Sequence, residues 1–288
     1  MLKGLKRFYW QLLASKGKMV FWILRSVVYQ FKTQILTIQQ TAPNHKLPNN
    51  LIVSLTSFPP RFKKLHLTLK CLLNQDTVPD KIILWVAEND FKLLPNSVIK
   101  LQKHNDFEIQ TCEDLKSGKK IIPSIELYPS SFVVTADDDL FYSREWLSEL
   151  CGNWDGNNNH IYAHRVHHIR KIDEVLVPYQ NWDFDIKSNL PSPFNFATGC
   201  GGVLYPPNSL NSMVLDKELY MRLCPKQDDI WLYWMAQLNG SQVINTPYQF
   251  QMIPWLGSEK SGLASENLSN KQNDKCINKM MAHYGWPN

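Results

Sequence analysis

Apolar runs of strand length alternate with segments of helical spacing through the first half of this chain. Residues 51–56 and 80–87 are predicted strands, and residues 64–73 between them repeat their apolar side chains at helical intervals. The alternation continues with a helix near 95–104, a strand near 107–111, a helix near 119–127 and an apolar strand over 131–136. Strands and helices in this order predict an α/β fold, Rossmann-like, with a mostly parallel sheet flanked by helices.

The second half of the chain is less regular and ends in a polar tail. It is predicted to contain a strand over 160–164, a glycine-containing loop and strand over 194–207, a helix over 225–238 and a strand near 243–246. A polar, proline-containing linker over 41–50 precedes the first strand. The chain therefore divides into a basic N-terminal helical extension and linker (1–47), a main domain (48–255) and a C-terminal tail (256–288).

Three consecutive aspartates, Asp137, Asp138 and Asp139, directly follow the apolar strand over 131–136. Carboxylate oxygens are the ligands that Mg²⁺ and Mn²⁺ prefer, so one of these ions is the expected cofactor. Alternation along a strand places Asp137 and Asp139 on one face, where they can bind the metal with Asp138 behind them. The alternative is a helix cap, since residues 144–150 are predicted to be helical, but a cap needs one aspartate rather than three.

Charge is distributed unevenly along the sequence. The net charge is +5, yet residues 1–75 contain twelve Lys or Arg and no Asp or Glu, leaving 19 basic against 26 acidic residues in the remainder. This basic region is predicted to be helical and contains the aromatic residues Phe8, Tyr9, Trp10, Phe21, Trp22 and Tyr29. Such a helix can lie on an anionic membrane surface, or it can pack on the domain or on a second subunit. Nucleic-acid binding is disfavoured, because the positive charge is confined to the N-terminal quarter without a recognised module.

Neither a spanning helix nor a signal peptide is predicted, since Arg25 ends the apolar run and Lys16 and Lys18 interrupt the region before it. The six cysteines, at positions 71, 112, 151, 200, 224 and 276, contain no C-x-x-C pair. They are expected to be free thiols in a reducing cytosol, and zinc is correspondingly disfavoured. The expected location is therefore cytoplasmic, with a peripheral position on the inner face of the cytoplasmic membrane if the basic helix binds lipid.

A second pair of acids, Asp228 and Asp229, lies near the start of the predicted helix over 225–238. Two acids in a first helical turn are explained by the helix dipole alone, at about 0.3–1 kcal/mol each. The functional alternative is a general base that accepts a proton from a substrate hydroxyl. Between the two acidic groups, the glycines of segment 198–207 allow either a tight bend or the close approach of a ligand.

Basic and hydroxyl side chains follow other predicted strands. Lys119 and Lys120 lie in a lysine-rich turn, where they can neutralise a diphosphate or simply face solvent. Thr56, Ser57 and Arg61 follow the first strand, where ligands gather in parallel sheets, although Ser and Pro also make turns. The remaining candidates are three histidines: His164, His167 and His168. An extended strand cannot direct all three side chains to one metal ion, so they are expected to be mostly polar lining.

Taken in order, the segments 54–61, 137–139, 199–205 and 228–232 resemble those of bacterial sugar-nucleotide glycosyltransferases of the GT-A fold, of the kind encoded in capsule and lipopolysaccharide gene clusters. The resemblance covers roughly residues 50–255 and implies a GT-A-like sheet. It implies that Asp137 and Asp139 form an Asp-x-Asp motif that holds the metal against the donor diphosphate. The remaining implied roles are donor binding by Thr56, Ser57, Arg61, Lys119, Lys120 and Asp138, an acceptor border at Gly201 and Gly202, and a base at Asp228 or Asp229.

The implied reaction moves a sugar from a nucleotide-diphosphate donor to a hydroxyl of a glycan or glycolipid acceptor, with inversion at the anomeric carbon. His283, in the tail proposed to complete the site, is a further candidate metal ligand or phosphate contact. Two other functions stay open. One is a metal-dependent nucleotidyltransferase that releases pyrophosphate, and the other is a non-catalytic membrane-associated scaffold in which the aspartates only cap helices.

Overall fold

The computed structural model of the protein describes residues 22–38, 42–104, 106–258 and 272–287. Strands in these residues form a seven-stranded sheet and two small two-stranded sheets. The strands are β1 (Leu51–Thr56), β2 (Lys81–Ala87), β3 (Phe107–Cys112), β4 (Phe132–Ala136), β5 (His160–Ala163), β6 (Val166–His168), β7 (Lys171–Ile172), β8 (Val175–Leu176), β9 (Asn195–Ala197), β10 (Val203–Tyr205) and β11 (Gln242–Asn245). The α-helices are α1 (residues 22–34), α2 (Phe62–Leu72), α3 (Asn96–Ile99), α4 (Ile122–Leu127), α5 (Trp146–Cys151), α6 (Lys217–Leu223), α7 (Asp228–Leu238) and α8 (Gln272–Tyr284).

The seven-stranded sheet has the order β11-β5-β10-β4-β1-β2-β3. Four of its six strand pairings are parallel, and both antiparallel ones involve β10. The prediction of an α/β fold with a mostly parallel sheet flanked by helices is confirmed. Parallel pairing aligns Leu55 of β1 with Ala136 of β4, so the residues that follow these two strands emerge at the same edge of the sheet.

Helices cover both faces of the sheet, which explains why its central strands are nearly continuous apolar runs. On one face, Val53 of β1 lies in a buried cluster with Leu65 of α2 and Trp146 of α5. On the other face, Val133 of β4 lies in a cluster with Trp231 of α7. A Trp as deeply buried as Trp231 typically stabilises a fold by about 3–5 kcal/mol relative to Ala. The packed sheet therefore gives the loops at its edges a firm support.

Two regions predicted as single helices each combine a 3-10 turn with a short α-helix. The region 119–127 consists of a 3-10 turn over Lys116–Lys120 followed by α4. Pro123 lies in the first turn of α4, the helical position that tolerates a residue without an N–H donor, so the α-helix begins there. The region 95–104 is likewise divided into α3 and a 3-10 turn over Lys100–Lys103.

A disulfide joins Cys224, directly after α6, to Cys276 in α8. The prediction of six free thiols is therefore wrong for this pair. The two partners lie 52 residues apart and meet because α8 packs beside α6 and α7, so no local spacing indicated the bond. Disulfides persist in oxidising compartments, so the argument from free thiols to a reducing cytosol no longer holds. The other cysteines are free: Cys71, Cys112, Cys151 and Cys200.

The N-terminal helix α1 packs one face on the main domain. The Tyr29 ring centroid lies 4.3 Å from that of Phe141, and Lys70 Nζ donates to Gln34 O at 2.7 Å. Tyr29 thus packs on the main domain, as the second of the two alternatives for this helix expected. In the stretches of chain that the structure describes, no helix is both long and apolar enough to cross a bilayer. The other expected aromatic residues before Trp22 lie outside the described residues: Phe8, Tyr9, Trp10 and Phe21.

Candidate active site

The aspartates that follow β4 lie beside the residues that follow β1, at the carboxyl edge of the sheet. Ser57 Oγ donates a hydrogen bond of 2.5 Å to Asp138 Oδ2, and Arg61 donates to Asp138 Oδ1 at 2.5 Å. Both carboxylate oxygens of the buried Asp138 are thus engaged inside the protein. Thr56, at the end of β1, donates its hydroxyl to Trp85 O at 2.8 Å.

The carboxylates of Asp137 and Asp139 are more accessible than that of Asp138, with side chains 28% and 16% exposed. Asp137 Oδ1 lies 3.1 Å from Lys120 Nζ, and Asp139 Oδ2 lies 3.2 Å from a guanidinium nitrogen of Arg61. Burial, followed by the negative charge of Asp138, raises the pKa of Asp139 to about 7. Burial opposes the charge of Arg61, but Asp138 and Asp139 outweigh it and raise the pKa of Arg61.

The chemistry of these donors suits a hard divalent cation. Mg²⁺ is typically held by one or two carboxylates together with substrate phosphates and water, and Asp137 and Asp139 offer two. Across the described ranges, no group of three or more His, Cys, Asp and Glu side chains is arranged to hold a metal ion. His283, exposed on α8 with its ring against Tyr284, therefore belongs to no such group with the two aspartates.

Lys120 joins the two acidic pairs. Its Nζ lies 3.1 Å from Asp137 Oδ1 and 2.8 Å from Asp228 Oδ2. The contact with Asp228 is an ion pair between two buried side chains. Burial opposes the charge of the ammonium, but Asp137, Asp228 and Asp229 together raise the pKa of Lys120 well above its usual value. Lys120 therefore stays positively charged at neutral pH despite its burial.

Lys119, the other lysine predicted to contact a diphosphate, has a different partner. Its Nζ lies 2.5 Å from Asp114 Oδ1. Both lysines belong to the 3-10 turn over Lys116–Lys120, in which successive side chains project about 120° apart. The structure therefore brings Lys120 to the aspartates and directs Lys119 to Asp114.

Asp229, at the start of α7, accepts a hydrogen bond of 3.0 Å from the backbone N–H of Gly199. Burial, followed by the charge of Asp228, raises the pKa of Asp229 to about 7. A Cβ at position 199 would lie 2.7 Å from Lys120 Nζ and 2.9 Å from Asp229 Oδ1, so a side chain there would displace both groups. A carboxylate with a fixed orientation and a pKa near neutrality can act as a general base.

The glycines named from the sequence, Gly201 and Gly202, pack against protein rather than against the aspartates. Trp146 Nε1 donates to Gly201 O at 2.7 Å, and Gly202 adopts φ 94° with the Trp146 ring beside its Cα. Only glycine adopts such a φ readily, so these residues shape the turn into β10. The glycine that faces the acids is Gly199, which sequence reasoning missed although it is the first glycine of the same segment.

The three histidines have structural partners. His164 Nε2 lies 2.9 Å from Trp146 O, and burial lowers the pKa of both His164 and His167 to about 4. His168 contacts the side chain of Asn195. Each of these histidines thus contacts other groups of the protein.

Arg165, which the sequence did not single out, lies beside the glycine segment. Its Nε is 2.7 Å from Asp185 Oδ1, and its guanidinium donates to Thr198 Oγ1 at 3.1 Å. Because Thr198 directly precedes Gly199, Arg165 helps to hold the segment that contacts Asp229. No local signal marked this arginine, since its partners come from other parts of the chain.

Models of known protein families do not match this sequence, and no characterised protein matches it either. Several solved structures have a similar fold. A mannosyltransferase from Pyrobaculum calidifontis, solved in complex with GDP-Man and Mn²⁺, is 14% identical, with a TM-score of 0.47 over 84% of this chain and 69% of that one. The inositol-1-phosphate CTP transferase from T. maritima is 10% identical, with a TM-score of 0.41 over 72% and 86%. S. aureus TarS, residues 1–349, is 14% identical, with a TM-score of 0.42 over 68% and 58%. Likenesses at these values do not assign an activity to this chain.

Proposed function

We propose that this chain is a metal-dependent glycosyltransferase of GT-A type that moves a sugar from a nucleotide-diphosphate donor to a hydroxyl of a surface glycan, such as lipopolysaccharide or capsule. The observation that carries the proposal is the meeting of Asp137 with Asp228 and Asp229 around Lys120. Stabilising a leaving diphosphate and deprotonating an acceptor require cationic and carboxylate groups in one site. Helix capping alone does not require the two acidic pairs to meet, so the scaffold alternative is disfavoured.

Mn²⁺ or Mg²⁺ is the proposed cofactor, with Asp137 and Asp139 as its ligands. The bound cation would supply positive charge that stabilises the diphosphate as it leaves. Asp138, held by Ser57 and Arg61, would fix the orientation of the loop that carries both ligands. This division of roles follows the exposure of the three side chains, since Asp138 is buried and both of its oxygens already accept from protein groups.

Asp229 is the proposed general base. Asp228 is buried against Lys120, whereas Asp229 has a pKa near 7 and is oriented by Gly199. Asp229 would take the proton of the acceptor hydroxyl while the hydroxyl oxygen bonds to the anomeric carbon and the nucleoside diphosphate leaves with the bonding electron pair. Direct displacement of this kind inverts the anomeric carbon. The tail is proposed to complete the site through α8, which packs against the base helix α7.

The remaining proposed contacts divide between the two substrates. We place the nucleotide beside Thr56, Ser57 and Arg61, and the diphosphate beside Lys120, because these residues surround the aspartates that follow β4. A diphosphate contact by Lys119 would require this lysine to leave Asp114, so the proposal rests on Lys120. The acceptor is proposed to approach along the glycine segment that includes Gly201 and Gly202.

The product released from the donor tests the proposed reaction. Incubation with nucleotide sugars and Mn²⁺ should release a nucleoside diphosphate, and a chelator should stop the release. Asp137→Ala and Asp139→Ala should each slow turnover by about 100-fold or more, whereas Asp155→Ala, which removes an exposed carboxylate paired with His160, should not. Pyrophosphate released from a nucleoside triphosphate would establish a nucleotidyltransferase instead. Full activity of both Asp→Ala variants would refute the metal site.

A peripheral location on a membrane is part of the same proposal, because surface-glycan acceptors are assembled there. The cytoplasmic side was expected from free thiols, and the bond between Cys224 and Cys276 removes that argument. Thiol labelling in intact source cells tests the side directly. Reduced Cys224 and Cys276 would support a cytoplasmic location, and a preserved disulfide would place the protein in an oxidising compartment.

A further inference from the structure

Helix α1 carries an apolar stripe on the face that points away from the main domain. The residues recur at intervals of three, four and seven, which places them on one side of a helix. All are far more exposed than apolar side chains usually are: Leu24 58%, Val27 45%, Val28 48% and Phe31 66%, continued by Ile35 67% in the turn directly after α1. Solvent contact of a continuous stripe of this kind is unfavourable, which indicates a surface meant to be covered.

The opposite face of α1 packs on the domain, so the helix cannot rotate to bury the apolar stripe against the protein. Ser26 and Thr33 are buried on this inner face, and the Tyr29 ring contacts the Phe141 ring at a tilt. Lys70 Nζ of α2 donates to Gln34 O at 2.7 Å and to Leu36 O at 3.2 Å, which satisfies carbonyls at the helix end.

The charged residues of the same helix indicate which kind of surface the apolar stripe binds. Lys32, directly after Phe31, is exposed on α1, and Arg25 lies one turn before Tyr29 on the same helix. No acidic residue occurs in the chain before Asp76. An apolar stripe on a helix whose charged residues, Arg25 and Lys32, are both basic matches the pattern of helices that lie in the headgroup region of anionic bilayers.

We propose that α1 lies in the plane of an anionic phospholipid bilayer, with Leu24, Val28 and Phe31 inserted at the boundary between headgroups and acyl chains. The helix is joined to the elements around the acidic cluster. Its Tyr29 contacts Phe141, two residues after Asp139. Docking through α1 would therefore hold the sheet edge near the bilayer surface. This inference stands whether or not the chain transfers a sugar.

Vesicle flotation of the full chain tests the proposal. Phosphatidylcholine vesicles that contain phosphatidylglycerol should bind the protein, and pure phosphatidylcholine vesicles should bind it much more weakly. The triple variant Leu24→Gln, Val28→Gln, Phe31→Gln should reduce binding by about tenfold or more. A matched control makes the same kind of change at three apolar residues exposed elsewhere and should bind as the native chain does: Leu127→Gln, Val175→Gln and Leu190→Gln.

A second variant keeps the test independent of folding. Lys32→Gln leaves every packed apolar residue of α1 in place and should weaken binding to the anionic vesicles by about fivefold. Failure of the native chain to float, or undiminished binding of the triple variant, would overturn the proposal. A third outcome would also overturn it: light scattering shows that the native chain is a dimer, that the triple variant is a monomer, and neither binds vesicles. A second copy of the chain would then cover the stripe.

Discussion

The ammonium of Lys120 lies 2.8 Å from the carboxylate of Asp228, although one residue follows β3 and the other begins α7. The contact brings a lysine-rich turn and the start of a buried helix into one cluster. Asp137, after β4, completes it at 3.1 Å from the same ammonium. A single buried cation thus holds two acidic segments together. One segment carries the proposed metal ligand Asp137, and the other carries the proposed general base Asp229.

Replacing Lys120 with Met should destabilise the protein by about 3 kcal/mol, because the carboxylate of Asp228 would remain buried without its cation and Asp137 would lose its partner. Urea unfolding measures the change. The double variant Lys120→Met, Asp228→Asn should recover about 1 kcal/mol or more, since it removes one uncompensated charge. Lys116→Met is the matched control. Its ammonium is largely exposed, so the loss should stay within about 0.5 kcal/mol.

Activity should rise with pH through about 7, because the proposed base Asp229 must be ionised to accept a proton and its pKa is raised to about 7. Below that pH, kcat/KM should fall about tenfold per pH unit. Measurement of kcat/KM from about pH 5 to about pH 9 checks the profile. Asp229→Asn should abolish the activity and, with it, the pH-dependent rise. A native profile that is flat through pH 7 would contradict the proposal that Asp229 is the general base.

Asp229→Asn should stabilise the fold at about pH 8 and leave it unchanged below about pH 4. The folded chain binds the Asp229 proton more tightly than the unfolded chain does, so between about pH 4 and about pH 7 this group makes stability fall as pH rises. Asn can still accept from the Gly199 N–H while removing the charge. We expect an increase in Tm of about 2–5 °C at the higher pH, measured calorimetrically. Asp155→Asn, at an exposed carboxylate whose pKa is lowered, should give no increase.

Asp138 and Asp139 should respond differently to neutralisation. Asp138→Asn should cost roughly 2–4 kcal/mol of stability, because Arg61 would lose a buried partner, yet the rise in Tm on adding Mn²⁺ with a nucleoside diphosphate should persist. Asp139→Asn should abolish that rise at little cost in stability. Thermal shift with and without Mn²⁺ separates the two effects, and an undiminished response in Asp139→Asn would remove this residue from the metal site.

Reduction of the Cys224–Cys276 bond should lower the free energy of unfolding by about 2–4 kcal/mol, since the bond closes a loop of 52 residues in the unfolded chain. Urea titrations with and without dithiothreitol provide the measurement. The control is the double variant Cys224→Ser, Cys276→Ser, whose stability should match that of the reduced chain and should not respond to the reductant. A native chain that ignores dithiothreitol would show that the bond does not form in solution.

Local periodicity was sufficient to predict the scaffold and the first acidic cluster. Strands β1, β2 and β4 are buried on both faces, and burial on both faces produces the continuous apolar runs that the sequence shows. Parallel strands end at one edge of a sheet, so the placement of Ser57 near the aspartates after β4 followed from the alternation of elements. The proposed division among the three aspartates also required burial, because alternation alone did not show that both oxygens of Asp138 accept from Ser57 and Arg61.

By itself, therefore, the sequence determined the α/β class, the strands and the residues that follow them. Tertiary structure alone decided the antiparallel insertion of β10 between β4 and β5, the pairing of Lys120 with Asp228, and the bond between Cys224 and Cys276. The physical reason is that periodicity reports which face of an element is buried, a property of a few neighbouring residues. Strand order and side-chain pairing instead depend on contacts between distant segments. These contacts must offset the entropy that is lost when the chain between the two segments closes into a loop.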